Sequence, residues 1–268
     1  MLELSETTID LWYLDHSGQA FLDAELGQAY LAALNEQESL RYERLQISAK
    51  REQFLTGKFF LRQVLSRYFP ISPLDWVFSE NEHGKPELTG DFHSESGASA
   101  PLAFNLSHSR NMFVVAVSAA DNVGVDVEYS ARSRLIMELA NRHFSVDEIE
   151  QLQALTGEQQ LARFYHVWTL KEAYVKARGL GLTMPLQDFS LHFKSDSELQ
   201  FSQRQPAEIP ADEWQFLSLS LQSSQPVEPY TVSVAVGSTA QDRGIRLFRF
   251  IGPESEQELE PEVITRTV

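Results

Sequence analysis

The 268-residue sequence contains no cysteine. Disulfides, thiol catalysis and cysteine-ligated metals are thereby excluded, and any metal site has to be built from oxygen or imidazole. No run of 18 apolar residues occurs, and the opening MLELSETTIDLWYLDH has no basic stretch leading into an apolar core. Membrane insertion and secretion are disfavoured, and a cytoplasmic protein is expected. The seven histidines never fall in an H-x-x-x-H pattern, and the sequence has no P-loop, no G-x-G-x-x-G after a strand and no G-x-S-x-G elbow. Basic residues are scarce as well: 22 Lys and Arg face 38 Asp and Glu, a net charge of −16. That balance argues against nucleic acid as a ligand, because phosphate-backbone binding needs clustered cations.

What is present is enough apolar content, 43%, for one large domain or two smaller ones. Seven of the basic residues fall between Arg41 and Arg67, against only Glu43 and Glu52. Such a run is either a solvated helix face or a holder for a small phosphorylated ligand. Periodicity predicts a strand over 8–14, a helix over about 36–68, strands near 76–80, 102–107, 112–118 and 123–129, and helices near 145–155 and 159–178. Strands near 188–194, 214–221 and 230–236 follow. The strings MFVVAVSAADNVGVDV and YTVSVAVGSTAQDRGIRLF are loosely alike. The expected architecture is α+β: two similar α/β subdomains related by a pseudo-twofold, each a small, mostly antiparallel sheet packed with helices. The divisions are 1–120, 121–251 and a disordered acidic tail, 252–268, with GDFHSESGASAP an exposed loop.

Four short stretches carry candidate chemistry. In GVDVEY the alternation puts Asp126 and Glu128 on one strand face. Two neighbouring carboxylates either share a hard divalent cation or lie on a solvent-facing edge strand. In VWTLKEAYVKARGLGL, Glu172 interrupts a stripe of Phe164, Tyr165, Trp168 and Val175 on a helix that stops at Gly179. Lys176, at i+4, offers either a plain helix ion pair or a cation for an anionic ligand that Glu172 also serves. In FNLSHS, Ser107 and His108 point apart on a strand, which does not suit a nucleophile with its own base. Both suit donation to phosphate, or a plain turn. HGKPEL offers Lys85 on a loop stiffened by Pro86.

Taken in order, HGKP, FNLSHS, GVDVEY and FYHVWTLKEAYVKARGLGL resemble the signature set of the 4′-phosphopantetheinyl transferases, in their two-half, surfactin-type branch. The match spans roughly residues 83 to 185, with a fainter echo in RYERLQISAKREQFLTGKFFLR. The resemblance implies transfer of 4′-phosphopantetheine from coenzyme A to a serine of an apo acyl or peptidyl carrier protein, with release of 3′,5′-ADP. It implies Asp126, Glu128 and Glu172 as ligands of Mg²⁺, or of Mn²⁺ in its place, and Lys176 on the pyrophosphate. Glu172 or a metal-bound water takes the serine proton. Ser107 and His108 are implied on phosphates, and Lys85 with Pro86 beside adenine and ribose. An arginine expected four residues before Gly57 is Gln53 here, which leaves Arg51, Lys50, Arg44 and Arg41 as candidates for the 3′-phosphate. A monomer is expected. A Mg²⁺-dependent phosphodiesterase or nucleotide hydrolase, and a non-catalytic coenzyme A or carrier-binding module, are the alternatives that use the same acids.

Overall fold

The computed structural model describes residues 1–267 apart from 6, 18–20, 90–101, 120–121, 133–134, 205–208, 225 and 238–242. The chain runs β1 (Thr8–Asp15), α1 (Ala24–Ala32), α2 (Glu36–Arg44), α3 (Ser48–Leu65), β2 (Phe78–Glu80), β3 (Pro86–Leu88), β4 (Ala103–Ser109), β5 (Met112–Ser118) and β6 (Asn122–Tyr129). It continues through α4 (Ile136–His143), α5 (Val146–Gln153), α6 (Gly157–Arg178), β7 (Phe189–Phe193), β8 (Glu198–Gln203) and β9 (Trp214–Gln222). It closes with β10 (Pro229–Gly237), β11 (Gly244–Gly252), β12 (Ser255–Leu259) and β13 (Val263–Thr267).

Two-residue alternation decides the layering. Met112, Val114 and Ala116 of β5 enter a core shared with Val123, Val125 and Val127 of β6 and Val232, Val234 and Val236 of β10. Phe113, Val115 and Val117 face the other way, onto Phe59, Phe60 and Val64 of α3. Two sheets therefore lie face to face, with α3 packed outside one and α6 outside the other. The sheet orders are β12-β11-β1-β5-β4 and β6-β10-β9-β13-β8-β7. Pairing is antiparallel except for β1 with β11 and β13 with β8.

Three expectations need correction. The sheets are interleaved along the chain: β6 follows β5 yet pairs with β10, while β11 follows β10 yet pairs with β1. A split at 120 into contiguous subdomains does not hold, since residues 244–259 complete the first sheet. The two similar strings are the two crossings, and each supplies one strand to each sheet. Residues 120–121 at the expected joint, and the loop over 90–101, lie outside the described residues.

The acidic tail is the second correction. β12 extends the first sheet, and β13 inserts between β9 and β8, with Thr267 Oγ1 accepting from Phe216 N at 2.6 Å. An edge strand shows its outer face to water, so β12 reads as a solvated glutamate run until its register is known. The third is the long helix over 36–68, which is two helices broken at Leu45, where ψ is 113°. Arg51 Nε donates to the freed Leu45 O at 2.7 Å, and α2 starts on a capping box of Asn35 and Glu38.

Candidate active site

The site forms where β4, β6 and α6 meet. Gly124, Asp126 and Glu128 alternate away from the shared core, onto the side that α6 covers. A Cβ at Gly124 would overlap Ala173 O and Ala177 N, so glycine is what lets the helix backbone lie on the strand. That approach sets Glu172 and Lys176 against Asp126. From β4, Asn105 Oδ1 accepts from Val125 N at 2.9 Å, Ser107 Oγ donates to Asp126 Oδ1 at 3.0 Å, and Ser109 Oγ donates to Glu128 Oε2 at 2.9 Å. Alternate residues of β4 thus tie the two sheet edges together.

Lys176 Nζ lies 2.6 Å from Asp126 Oδ1 and donates to Ser107 Oγ at 2.8 Å. Its partner is therefore on the strand beneath the helix, and the plain i,i+4 pair with Glu172 is replaced by one from helix to strand. Asp126 is buried, which removes the solvent-facing alternative for it, and its Oδ2 has no partner among the described residues. No hydrogen bond or ion pair reaches the Glu172 carboxylate among them either. Burial raises the pKa of Glu172, with the charges of Asp126 and Glu128 adding to it and Lys176 opposing. Burial also raises Glu128, Asp126 adds to it, and Ser109, Lys176 and Arg132 oppose. Glu128 and Glu172, both pushed toward protonation by burial and by the Asp126 charge, form with it an anionic cluster with a deficit of positive charge.

Among the described residues no three His, Asp or Glu side chains close on one point as a protein cage for a metal. The donor set fits a smaller demand. A hard divalent cation takes one or two carboxylates and fills its remaining positions with water and phosphate oxygens, and the unpartnered Asp126 Oδ2 offers such a ligand.

A cavity of about 400 Å³ runs from Glu172 and Lys176 past His108 and Lys85 to Arg41 and Lys58 on α2 and α3. His108 stacks on Phe113 at 5.2 Å and 11°. Burial, with the charges of Lys50, Lys176 and Arg41, lowers its pKa, which leaves a neutral imidazole able to donate one hydrogen bond. Lys85 Nζ donates to Ala177 O at 3.1 Å and to Val123 O at 3.4 Å, so this lysine also fastens its loop to α6 and β6. Gly179 caps α6 in the left-handed conformation, φ 65°, and Asn81 Nδ2 donates to its carbonyl at 3.2 Å.

At the far end Lys58 pairs with Glu38 at 2.7 Å, and Glu38 also accepts from buried Arg62 at 2.9 Å. Two cations on one carboxylate leave a surplus positive charge on the wall. Arg51 and Arg44 are placed elsewhere: Arg51 caps the end of α2 and lies over Tyr42, Arg44 is exposed, and neither lines this cavity. Arg41 does line it, while Lys50 donates to Gln53 Oε1. Gln53 is on the wall as well, and its Nε2 donates to Arg110 O at 3.0 Å.

Beyond Glu128 a second cavity of about 290 Å³ opens between Ser109, Arg110, Tyr129, Arg132 and Trp168. Trp168 stacks on Phe164 and stands in this wall, not the first. The carboxylate cluster sits where the two cavities approach each other along β4 and α6.

The family model described as the 4′-phosphopantetheinyl transferase superfamily matches residues 122–235, and the model for the 4′-phosphopantetheinyl transferase N-terminal part matches residues 24–120. The 4′-phosphopantetheinyl transferase HetI of Nostoc sp. is 34% identical over 193 residues, 72% of this chain and 76% of its own. This chain belongs to the 4′-phosphopantetheinyl transferase family. The transferase Sfp of Bacillus subtilis is 28% identical over 180 residues, 66% of this chain and 75% of its own. A solved holo-(acyl-carrier-protein) synthase from Bacillus anthracis, in complex with CoA (3′,5′-ADP), covers 44% of this chain and 96% of its own at 17% identity and TM-score 0.35.

Sequence reasoning missed three residues that shape this transferase's site. Gly124 is readable as a glycine inside a strand of valines. Lys58 is one of the basic run, with nothing local to single it out. Asn105 leaves no signal, because it acts through a contact with a distant strand.

Proposed function

We propose that this groove moves 4′-phosphopantetheine from coenzyme A to a serine of an apo carrier protein, acyl or peptidyl, with the named residues in the following roles. The serine oxygen forms a bond to the phosphorus that bears the pantetheine. The bond from that phosphorus to the bridging pyrophosphate oxygen breaks, and 3′,5′-ADP leaves with the electron pair. The serine proton passes to Glu172 or to solvent. Lys176 Nζ meets charge growing on the leaving oxygens, at a point where Ser107 and neutral His108 add donors. Lys85 and Pro86 border the nucleotide, and Arg41 and Lys58 take its outlying phosphate. A divalent cation, Mg²⁺ by its preference for carboxylate and phosphate oxygens, would be held by Asp126 with Glu128 or Glu172 as a second carboxylate, and would supply charge neutralisation on the pyrophosphate.

The observation that carries this reading is a cation-lined cavity that ends on a partly buried carboxylate cluster, in which Asp126 Oδ2 has no partner among the described residues. Both halves of one chain build the site, which supports a monomer. A cytosolic location belongs to the same reading; among the described residues no helix is long and apolar enough to cross a membrane.

The test is the intact mass of an apo carrier protein after incubation with this enzyme, coenzyme A and Mg²⁺, with an EDTA control. A gain of one phosphopantetheine, blocked by EDTA, is the expected outcome. Phosphate products from coenzyme A alone, with no carrier adduct, would replace the transferase by a hydrolase.

Lys58→Gln gives a sharper check on the far end of the cavity. Its loss leaves Glu38 paired with Arg62, so the fold is retained. A charge-assisted contact to phosphate is worth about 1.5 kcal/mol, so KM for coenzyme A should rise about tenfold. KM for 3′-dephospho-coenzyme A should not move. An equal rise for both nucleotides would remove Lys58 from the phosphate.

A further inference from the structure

Arg110, between β4 and β5, has φ +52°, the left-handed region that side-chain-bearing residues avoid. The conformation costs roughly 1–2 kcal/mol that glycine would not incur. Three contacts hold it. Gln53 Nε2 donates to its carbonyl at 3.0 Å, its Nη1 lies 2.6 Å from Glu228 Oε1, and its guanidinium carbon sits 3.3 Å from the centre of the Tyr129 ring. What the arginine adds over glycine is therefore a positioned guanidinium at the rim of the second cavity, beside Ser109 and Glu128. A third of that side chain stays exposed, and its five N–H donors exceed what Glu228 takes.

The geometry of the reaction says what comes to that rim. Attack and departure at phosphorus are roughly in line, so the acceptor enters opposite the leaving group. The cations that suit ADP line the first cavity, which leaves the second as the acceptor's side of the carboxylate cluster. Its mouth joins Arg110 and Arg132 to the apolar side chains of Ile136, Leu139 and Trp168. A serine-bearing segment with an acidic and an apolar side chain fits that chemistry. On a chain of net charge −16 an acidic acceptor needs such a local cation to approach.

We propose that Arg110 is a specificity-determining residue for the acceptor protein, its guanidinium seated on Tyr129 to receive a carboxylate next to the acceptor serine. The proposal rests on the transferase reading. The alternative role for Arg110 is a latch between the β4–β5 turn and Glu228, with no contact to either substrate.

The experiment measures kcat and both KM values for the intact enzyme, Arg110→Gly and Arg110→Lys, with an acidic apo carrier and coenzyme A, at low and physiological salt. Arg110→Gly relieves the backbone conformation and should still fold, which its thermal melt checks. KM for the carrier should rise about fivefold to tenfold, and its salt dependence should flatten, while KM for coenzyme A and kcat at saturating carrier hold. Arg110→Lys should fall between the two. A fall in kcat or a rise in KM for coenzyme A alongside the carrier effect would make Arg110 a latch and overturn the proposal, as would an unchanged KM for the carrier. No adduct from the unaltered enzyme on any carrier would instead remove the transferase reading, and the proposal with it.

Discussion

Gly124→Ala should lower transfer at least about 10²-fold while the protein still folds in part. The added methyl would lie 2.9 Å from Ala177 Cα and inside contact distance of Ala173 O, all backbone atoms of α6 that no rotamer change can withdraw. The helix has to lift from β6, and Glu172 and Lys176 lift with it. A displacement of about 1 Å in groups that orient the reacting atoms costs on the order of 10²-fold in rate. Overpacking of this kind also destabilises by about 1–3 kcal/mol. Denaturant titration and kcat/KM on the same preparation would report both. A variant within about twofold of the parent rate would show that the close approach of helix and strand is not what aligns the site.

Glu172→Gln should abolish transfer, by about 10²- to 10⁴-fold, and yet make the metal-free protein more stable. Burial and the charges of Asp126 and Glu128 hold the Glu172 pKa above its ordinary value of 4.5. A carboxyl raised in the folded state binds its proton more tightly there than in the unfolded chain. Its ionisation opposes folding: the effect is absent below the ordinary value and complete once pH exceeds the raised one. At neutral pH in EDTA the amide removes that repulsion, so the variant should melt higher than the parent. Lowering the pH toward the ordinary carboxylate range should narrow the gap. Added Mg²⁺ should raise the melting temperature of the parent more than that of the variant, because the cation binds the folded, fully charged carboxylate cluster. A parent that melts above the variant in EDTA, or retained transfer in the variant, would remove Glu172 from the charge cluster.

These two residues also show how far the sequence could be read. The face shared by Asp126 and Glu128, the helix carrying Glu172 and Lys176, and the left-handed stop at Gly179 all follow from local period and turn chemistry, and the structure has each of them. Arg51 and Lys176 mark the limit. A guanidinium in a basic run can serve a ligand or the nearest free carbonyl, and only the break in the helix at Leu45 assigns Arg51 to the carbonyl. Lys176 has an acid four residues back along its helix, but its contact is Asp126, 50 residues away. The acidic tail failed for a related reason, since edge-strand pairing is made by backbone groups that leave no mark on residue type.

The sequence by itself determined the class of fold, the family resemblance and which carboxylates and lysine share a strand face or a helix stripe, because these depend on periodicity and on motifs read within a few residues. Only the tertiary structure decided that the sheets exchange strands at both crossings, that β13 closes the second sheet, and that Lys58 faces the cavity while Arg51 does not. Each of those depends on which distant backbone or charge lies nearest after packing. That is a property of long-range pairing, and composition and local pattern do not encode it.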